Sequence, residues 1–360
     1  MFDNFAKLER DGMSSRLPIP LAGMTTDVGT APNEEGDIGL AIYINGGCLG
    51  PYTQSIDTTS GITQYVCSSL SDSNFVFDPH FTMVEERRSM PRKRHRHTSA
   101  TVNGFIWVLG GLNEEGTLIS EVDVYDTQHD VWVTLRDGLE NVKIENSDMS
   151  FDGLYDSTAV AIGEHIFVMG GFNKDHTALD INLVIHAGLS MQYNRLVYSW
   201  KNQLGVARGG ASSTVIKGNE IVIAGGFSDV DGFCQALSSV ERYDPLSESW
   251  FIEESMQFGR SYFSLFMFEN KLFAMGGERR GEFRSLSGVC IDGEEGNTLE
   301  LNQKTPDRIL FPVNVVEVLD LSLIQKYWRT MDVSDEHIKS VCVEAKILLK
   351  VRAVTASRMI

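Results

Sequence analysis

The sequence predicts an all-β fold assembled from repeated four-stranded antiparallel units. Three recurring features predict it: a glycine pair, a short apolar run just before that pair, and an aromatic residue followed by a tryptophan further along. The glycine pairs return at intervals of roughly 50 to 65 residues, a period typical of architectures in which each repeat is one supersecondary motif.

The glycine pair marks the end of the second strand in each unit. In the last four units it follows the apolar runs FIWVL, IFVM, IVIA and LFAM, which do not alternate with polar residues and so indicate strands covered on both faces. A polar break such as Asn103-Gly104 precedes each of these runs and suits a tight turn from a first strand. The pairs are Gly46-Gly47, Gly110-Gly111, Gly170-Gly171, Gly225-Gly226 and Gly276-Gly277.

Downstream of the glycine pair, a tyrosine and a tryptophan predict the third and fourth strands. In VYDTQHDVW and RYDPLSESW, the tyrosine belongs to the third strand and the tryptophan begins the fourth, with a turn between them. A β-sandwich with incidental glycine pairs would not place these aromatic residues at a constant spacing. The pairs with this spacing are Tyr125 and Trp132, Tyr193 and Trp200, and Tyr243 and Trp250.

Together with an arginine that opens the first strand, these features resemble the signature of kelch-repeat proteins. The resemblance extends over residues 36–328 and is weakest around Gly170, where no arginine opens the strand. It implies a kelch-type β-propeller of four-stranded antiparallel blades, about six in number. We assign residues 36–355 to the propeller and residues 1–35 to an N-terminal segment.

The ends of the repeat array leave the closure of the ring open. The first unit has Phe77-Asp78 in place of tyrosine and aspartate, and residues 340–353 align with two strands of a further unit in which Arg352 and Ala353 replace the glycines. The last blade is therefore incomplete at the C-terminus. Either residues 1–35 supply its missing strands or the chain is incomplete.

Composition limits the classes of partner and compartment. A formal net charge of −18 disfavours nucleic acid and anionic membrane surfaces, and no apolar run is long enough to span a bilayer. The five cysteines are odd in number and widely spaced without a CxxC pair, which argues against a disulfide framework and a zinc site. The N-terminal stretch lacks a signal-peptide core. We therefore expect a cytoplasmic protein, with a nuclear location left open.

A basic stretch at residues 87–97 stands out in this acidic chain. Arg94 is the arginine of the repeat itself, and the others form a basic patch beside it. A solvated loop is the first interpretation, a docking patch for an acidic or phosphorylated partner the second, and a nuclear import signal the third. The basic patch consists of Arg87, Arg88, Arg92, Lys93 and Arg96.

The sequence contains no catalytic motif. His95 and His97 could share one strand face, but no third metal ligand lies near them in sequence, so we expect neither a metal nor another cofactor. No G-x-S-x-G, H-E-x-x-H or phosphate-binding loop occurs. The alternative to a non-enzymatic protein is a metal-dependent propeller enzyme or a small-molecule isomerase that uses the central pocket.

Long loops after the glycine pairs of the first and fifth units favour an interaction module. The kelch resemblance implies an adaptor or scaffold that binds a protein partner, and arginines around one mouth resemble the way kelch adaptors bind acidic peptides. The sequence does not determine the oligomeric state. The predicted partner-binding residues are Arg94, Arg208, Arg260, Arg279, Arg280 and Arg284.

Overall fold

Within the residues that it describes, the computed structural model contains five four-stranded antiparallel blades, numbered here along the chain. The all-β propeller is therefore confirmed. The structure describes residues 19, 23–32, 38–49, 52–56, 63–78, 83–143, 151–230, 233–280, 283–286, 289–292, 310–313, 315–323 and 325–331.

Blade 1 starts earlier in the chain than the sequence predicted. Its innermost strand begins at Thr25, ahead of the predicted boundary at residue 36, because inner strands carry neither the glycine pair nor the aromatic markers. A hairpin of two further strands is inserted between its second and third strands. In chain order the strands are β1 (Thr25–Pro32), β2 (Ile38–Cys48), the hairpin β3 (Tyr52–Ile56) and β4 (Thr63–Cys67), then β5 (Leu70–Asp78) and β6 (Met83–Arg87).

A disulfide closes the base of this inserted hairpin. It joins Cys48, at the end of β2, to Cys67, at the end of β4. The odd number and wide spacing of the cysteines argued against a disulfide framework, and this bond corrects that expectation. A separation of 19 residues in sequence gives no sign that a hairpin brings the two cysteines together.

Blades 2 and 3 follow the predicted order of strands, with one insertion. Blade 2 contains β7 (Thr98–Val102), β8 (Phe105–Leu109), β9 (Asp123–Asp126) and β10 (Val131–Thr134). Blade 3 contains β11 (Thr158–Ile162), β12 (His165–Met169), β13 (Asn182–His186), the helix α1 (Ala187–Tyr193) and β14 (Tyr198–Trp200).

The assignment of Tyr193 to a third strand is wrong. Tyr193 ends α1 and is 53% exposed, so its spacing from Trp200 is a coincidence produced by the inserted helix. Ile185 occupies the position in β13 that Tyr125 occupies in β9, since each pairs with the equivalent isoleucine of the second strand.

Blades 4 and 5 carry additional strands in the loops after their glycine pairs. Blade 4 runs through β15 (Ser212–Val215), β16 (Ile221–Ala224), the loop strands β17 (Phe227–Val230) and β18 (Phe233–Ala236), then β19 (Val240–Asp244) and β20 (Ser249–Glu253). Blade 5 runs through β21 (Ser264–Phe268), β22 (Lys271–Met275), the loop strands β23 (Glu278–Arg280), β24 (Phe283–Leu286), β25 (Val289–Asp292) and β26 (Leu310–Pro312), then β27 (Val316–Asp320) and β28 (Trp328–Met331).

The blades stand side by side around an axis lined by their first strands. Successive first strands β1, β7, β11, β15 and β21 are neighbours, and a buried apolar cluster lies at each junction between consecutive blades. Blades 1 and 5 each carry a further apolar cluster, around Phe75 and Phe273, on the face that a sixth blade would cover. The predicted strands at residues 340–353 and a closing role for residues 1–18 lie outside the described residues.

The glycine pairs make the closest backbone contacts between blades. All ten glycines have positive φ, and the second glycine of each of the first four pairs donates its N–H to a carbonyl of the next blade at 2.8–2.9 Å. A Cβ on Gly110, Gly170 or Gly225 would lie 2.2–2.4 Å from that carbonyl oxygen. Only glycine fits there, because any side chain would meet both backbone strain and a steric clash. The accepting carbonyls belong to Arg94, Leu154, Arg208 and Arg260.

The tryptophans of the fourth strands form a second set of links between blades. Each indole N–H donates to a carbonyl beyond the outer strand of the preceding blade at 2.7–2.8 Å. Trp200 makes this bond although its strand is displaced by α1, so the bond depends on the position of the ring and not on the spacing from a tyrosine. The donors are Trp132, Trp200, Trp250 and Trp328, and their acceptors are Arg88, Lys143, Asn202 and Glu254.

We expect Gly170→Ala to destabilise the protein much more than Gly163→Ala. Both glycines have positive φ, but the new Cβ would lie 2.3 Å from the Arg208 carbonyl oxygen at position 170 and would meet nothing within 4 Å at position 163. The strain common to both costs about 1 kcal/mol, and the clash should raise the loss at Gly170 to about 3 kcal/mol or more. Urea denaturation measures both values, and equal losses would contradict the assigned contact.

Candidate functional site

The two ends of the blades present different surfaces. We call loop face the end that carries the loops after the glycine pairs and the segments leading into the first strands. We call turn face the opposite end, where hairpins such as that at Asn103-Gly104 connect first to second strands. Predicted partner-binding residues belong to the segments of the loop face.

Three of the predicted partner-binding arginines are buried, and the prediction for them is wrong. Arg94, Arg208 and Arg260 are each 0% exposed. In each blade the guanidinium Nη1 donates to the carbonyl of the first glycine of the pair, at 2.8–3.0 Å, and Nη2 is paired with an acid of the third strand. We call these the arginine clamps: Arg94–Asp123 in blade 2, Arg208–Glu241 in blade 4 and Arg260–Glu317 in blade 5.

The clamps hold charge inside the protein. Burial lowers the pKa of each clamp arginine, to about 10 for Arg94, and its carboxylate partner offsets part of that decrease. The guanidinium groups therefore remain charged at neutral pH. They tie a loop, a glycine carbonyl and a third strand together and are not accessible to a partner.

Blade 3 shows that the clamp is replaced as a unit. Leu154 occupies the arginine position, since its carbonyl accepts the glycine N–H from blade 2. Leu183 occupies the acid position, since it pairs with Val168 as Asp123 pairs with Val108. Both leucines are fully buried in one apolar cluster. Charge is thus absent from both positions together, as expected because an unpaired buried charge is costly.

The other predicted arginines lie on the loop strands of blade 5. Arg279 is exposed and pairs through its backbone with Phe311, and Arg280 follows it in β23. Arg284 lies in β24. The side chains of Arg280 and Arg284 lie outside the described part of the protein.

The basic patch is largely engaged by acidic residues of the protein itself. Arg87 is paired with Glu85 at 2.9 Å, Arg92 with Glu121 at 2.6 Å, and Lys93 with Glu114 at 3.4 Å. The backbone N–H of Arg88 donates to the Asp130 carboxylate at 2.9 Å and its Nε to the Asp130 carbonyl at 2.8 Å. This pattern favours a structural role for the stretch over a docking patch.

The fifth member of the patch, Arg96, belongs to a ring of residues around the channel. Arg96, Asp156, Gly210 and Tyr262 each lie two residues after the clamp position of their blade and have φ between 51° and 66°. The N–H of each donates to the residue one blade earlier at 2.8–2.9 Å, starting from the carbonyl of Gly23. Because these residues lead into the innermost strands, the hydrogen bonds run around the axis on the loop face.

Side chains of this ring meet across the channel. The Arg96 Nε donates to both carboxylate oxygens of Asp156 at 3.0 Å, and its Nη2 donates to the Tyr262 hydroxyl at 2.9 Å. The Tyr262 hydroxyl in turn donates to Asp156 at 2.6 Å. The Arg96 guanidinium lies over the Tyr155 ring at 4.7 Å, and the Tyr155 hydroxyl is 2.5 Å from His176 Nδ1. We call Arg96, Asp156, Tyr155, His176 and Tyr262 the channel cluster.

Sequence reasoning missed this cluster apart from Arg96. The signal was the residue two positions after the clamp position, which differs in every blade: the segments read RHR, LYD, RGG and RSY. Gly210 is the small member, and its absent side chain leaves room for Tyr262: a Cβ there would lie 2.9 Å from that ring.

The electrostatics of the channel cluster keep Arg96 charged and Tyr262 protonated. Burial and the Asp156 carboxylate raise the pKa of Tyr262 well above its ordinary value, so its hydroxyl remains a donor. Burial opposes the charge on Arg96, but Asp156, together with Tyr262 and Tyr155, holds the pKa of Arg96 well above its ordinary value. Burial and Arg96 lower the pKa of His176. A fixed cation and a fixed hydroxyl donor do not exchange protons near pH 7.

The two histidines that were considered as metal ligands, His95 and His97, are both buried. His95 is 2% exposed and His97 is 6% exposed, and His97 Nε2 lies 3.1 Å from the Thr25 hydroxyl. Within the described ranges, no three or more His, Cys, Asp or Glu side chains are grouped so that they could hold a metal ion.

A pocket of about 220 Å³ opens on the loop face beside the channel cluster. The loops after the glycine pairs of blades 2 and 3 form its walls. In each loop an asparagine side chain, Asn113 or Asn173, accepts two backbone N–H bonds at 2.8–3.0 Å and fixes the turn. The pocket is lined by Leu112, Thr117, Leu118, Tyr155, Lys174 and His176, among others.

Known proteins resemble this chain in sequence and in fold. The family described as "KLHDC2/KLHL20/DRC7 Kelch-repeats domain" matches residues 38–277, more than half of the chain. Kelch-like protein 38 of Rattus norvegicus is 24% identical over 210 residues, which are 58% of this chain and 31% of that protein. Kelch-like protein 34 of Homo sapiens is 23% identical over 225 residues, 60% of this chain and 31% of that protein. The chain thus spans about a third of the length of these curated relatives.

A solved structure, that of YjhT, shares the fold. The alignment has a TM-score of 0.50 at 15% identity and covers 74% of this chain and 75% of that one.

In the part of the chain that the structure describes, the helices are too short to cross a bilayer.

We expect the clamp of blade 4 to behave as a coupled pair. Arg208→Leu or Glu241→Leu alone should lower the free energy of unfolding by about 3–5 kcal/mol, because each leaves a buried charge without its partner. The double variant reproduces the Leu154 and Leu183 arrangement of blade 3 and should recover at least half of the summed loss. Urea denaturation of the four proteins tests this, and strictly additive losses would argue against a coupled pair.

We expect His95 to make the protein sensitive to acid. Burial and Arg96 lower the pKa of His95 from 6.5 to about 4, so the unfolded chain takes up the proton first as the pH falls. Stability is then complete above pH 6.5 and is lost progressively towards pH 4. Between pH 7 and pH 5 the protein should lose about 2 kcal/mol more than its His95→Gln variant. Parallel pH profiles of unfolding in the two proteins would refute this assignment.

Proposed function

The chain belongs to the kelch-repeat family, and we propose on that basis that it is a protein-interaction module, an adaptor or scaffold that binds a protein or peptide partner through its loop face. The relatives named above are kelch-like proteins, and kelch propellers generally serve in protein binding. The proposal assigns recognition to the pocket beside the channel cluster and to the loop strands of blades 4 and 5.

The observation that carries the proposal is the extra β-structure of the loop face. The loop strands β17, β18, β24 and β25 form a four-stranded sheet that connects blade 4 to blade 5. Phe227, the first residue of β17, contacts the Tyr262 ring at a centroid distance of 6.0 Å, so this loop sheet is continuous with the channel cluster. A surface ordered in advance loses less conformational entropy on binding than mobile loops would.

The pocket beside the channel cluster supports the same face. Apolar residues Leu112 and Leu118 lie next to the polar groups of Lys174 and His176 in its lining. A few polar groups around an apolar depression are typical of sites that accept a peptide side chain and fix its orientation. Its walls are the loops fixed by Asn113 and Asn173, so the depression is preformed.

The finer part of the proposal is that the partner segment is acidic. The clamp arginines cannot contribute, and within the described residues Lys174 is already paired with Asp152 at 2.6 Å. Arg279 is exposed and has no acidic partner among the described residues. The acidic preference therefore depends on Arg279 together with Arg280 and Arg284 on the loop strands of blade 5.

The test compares partner capture by four proteins in native lysate. They are the intact chain, a Lys174→Ala/His176→Ala pocket variant, an Arg279→Glu/Arg280→Glu/Arg284→Glu loop variant and a Leu246→Ser control. Leu246 is 92% exposed in the turn between β19 and β20, on the turn face. We expect the same partners with the intact chain and the control, and their loss from both loop-face variants.

The outcomes separate the two parts of the proposal. Loss of partners from the pocket variant but not from the arginine variant would retain the loop face and exclude an acidic segment. Partners that survive in both loop-face variants but disappear in the control would place recognition on the turn face and overturn the proposal. Circular dichroism of each variant establishes that the fold is retained.

A further inference from the structure

A larger cleft, of about 580 Å³, lies between blades 4 and 5 on the opposite side of the molecule. Its lining includes residues of the turns between β15 and β16, between β21 and β22, and between β27 and β28, which places it on the turn face. It is therefore separate from the loop face and from the channel cluster. Its volume falls within the range of roughly 300–1,000 Å³ that small-molecule sites occupy.

Phe263 and Trp328 belong to the apolar cluster of this junction, but two strand positions that supply aromatic rings elsewhere carry aliphatic residues here, and the cleft lies beside them. At the other junctions, the second strand of one blade faces the third strand of the next, and at least one of the two facing residues is aromatic. Tyr43 lies 5.7 Å from Tyr125, and Phe167 lies 6.1 Å from Tyr243, measured between ring centroids. At the junction of blades 2 and 3 the fully buried Trp107 lies in one cluster with Ile185. The equivalent residues between blades 4 and 5 are Val222 and Leu319.

Val222 and Leu319 give the cleft an apolar floor. Both are 1% exposed, as is Leu272 beside them. The apolar side chains that pack against this floor and line the cleft are half-buried: Ile216, Met267 and Leu321. Val and Leu are too short to fill the space that two rings occupy at the junctions of blades 1 and 2 and of blades 3 and 4. An apolar ligand would restore the contacts that this junction lacks.

The rim of the cleft provides a positive charge for an anion. Arg242 lines the cleft, but it already forms ion pairs with Glu220 and, at 2.6 Å, with Glu253. Lys217 and Lys326 also line the cleft, and neither has an acidic partner among the described residues. Two lysines without acidic partners among the described residues therefore lie beside an apolar floor, in a chain whose net charge is −18.

We propose that this cleft binds an amphipathic carboxylate. The apolar chain or ring of the ligand packs on the half-buried Ile216, Met267 and Leu321. Its carboxylate pairs with the lysines of the rim. Acidic ligands that lack an apolar body, and apolar ligands that lack a charge, each satisfy only half of the site. The proposal does not depend on a partner at the loop face.

The test uses sodium decanoate and decanol as probes in isothermal titration of the intact chain, below the micelle concentration. We expect saturable binding of one decanoate per chain and at least about tenfold weaker binding of decanol, which corresponds to about 1.4 kcal/mol. Lys217→Ala/Lys326→Ala should weaken decanoate about tenfold and leave decanol unchanged. Lys143→Ala, which removes an exposed lysine outside the cleft, is the matched control.

Leu319→Tyr tests the floor independently of the rim. It introduces the residue that β9 and β19 already carry at this position, as Tyr125 and Tyr243, so the junction should accept it. The ring should fill the cleft, abolish decanoate binding and preserve or raise the unfolding temperature. The proposal is overturned if decanoate does not saturate, if Leu319→Tyr binds it as the intact chain does, or if decanol and decanoate bind equally.

Discussion

The close approach of a glycine pair to a carbonyl of the following blade is the constraint on which the rest of the propeller depends. At Gly110, Gly170 and Gly225 the carbonyl oxygen occupies the space where a Cβ would be, so the second strand of one blade meets the backbone of the next without a side chain between them. The N–H of the second glycine donates to that same carbonyl. Steric exclusion and hydrogen bonding therefore act at one point, and they set the distance between blades near the axis.

The arginine clamp connects this contact between blades to the residues that line the channel. The residue whose carbonyl accepts the glycine N–H is also the clamp residue, so Arg94 is held by Gly47 through its backbone and by Gly110 and Asp123 through its side chain. Two residues later the chain adopts positive φ and turns into the first strand. A side chain at that position lies on the axis, which is why Arg96 of blade 2 can meet Tyr262 of blade 5.

The sequence sufficed for the repeat but not for the site, and the physical reason differs between residues. Glycine pairs and indole anchors are local requirements of backbone and ring, so they can be recognised one unit at a time. The burial of a side chain depends on residues that are distant in sequence. The spacing of Arg94, Arg208 and Arg260 shows their position in the repeat, but it does not show that acids on the third strands pair with them inside the protein. Tyr193 matched a spacing only because a helix was inserted, and Cys48 meets Cys67 only because a hairpin folds between them.

Departures from the repeat are therefore more informative about function than the repeat is. In blade 3 both members of the clamp are replaced together, by Leu154 and Leu183, and the contact between blades is retained. Where a departure from the repeat leaves a polar group or a space that the propeller fold does not require, its explanation must lie outside the fold. Gly210 makes room for a tyrosine on the axis, and Val222 with Leu319 leaves a cleft at one junction, beside two lysines. Close packing is the rule in protein interiors. A gap that one ring would fill, at a position where this chain places a ring in two other blades, is best understood as space kept for a ligand.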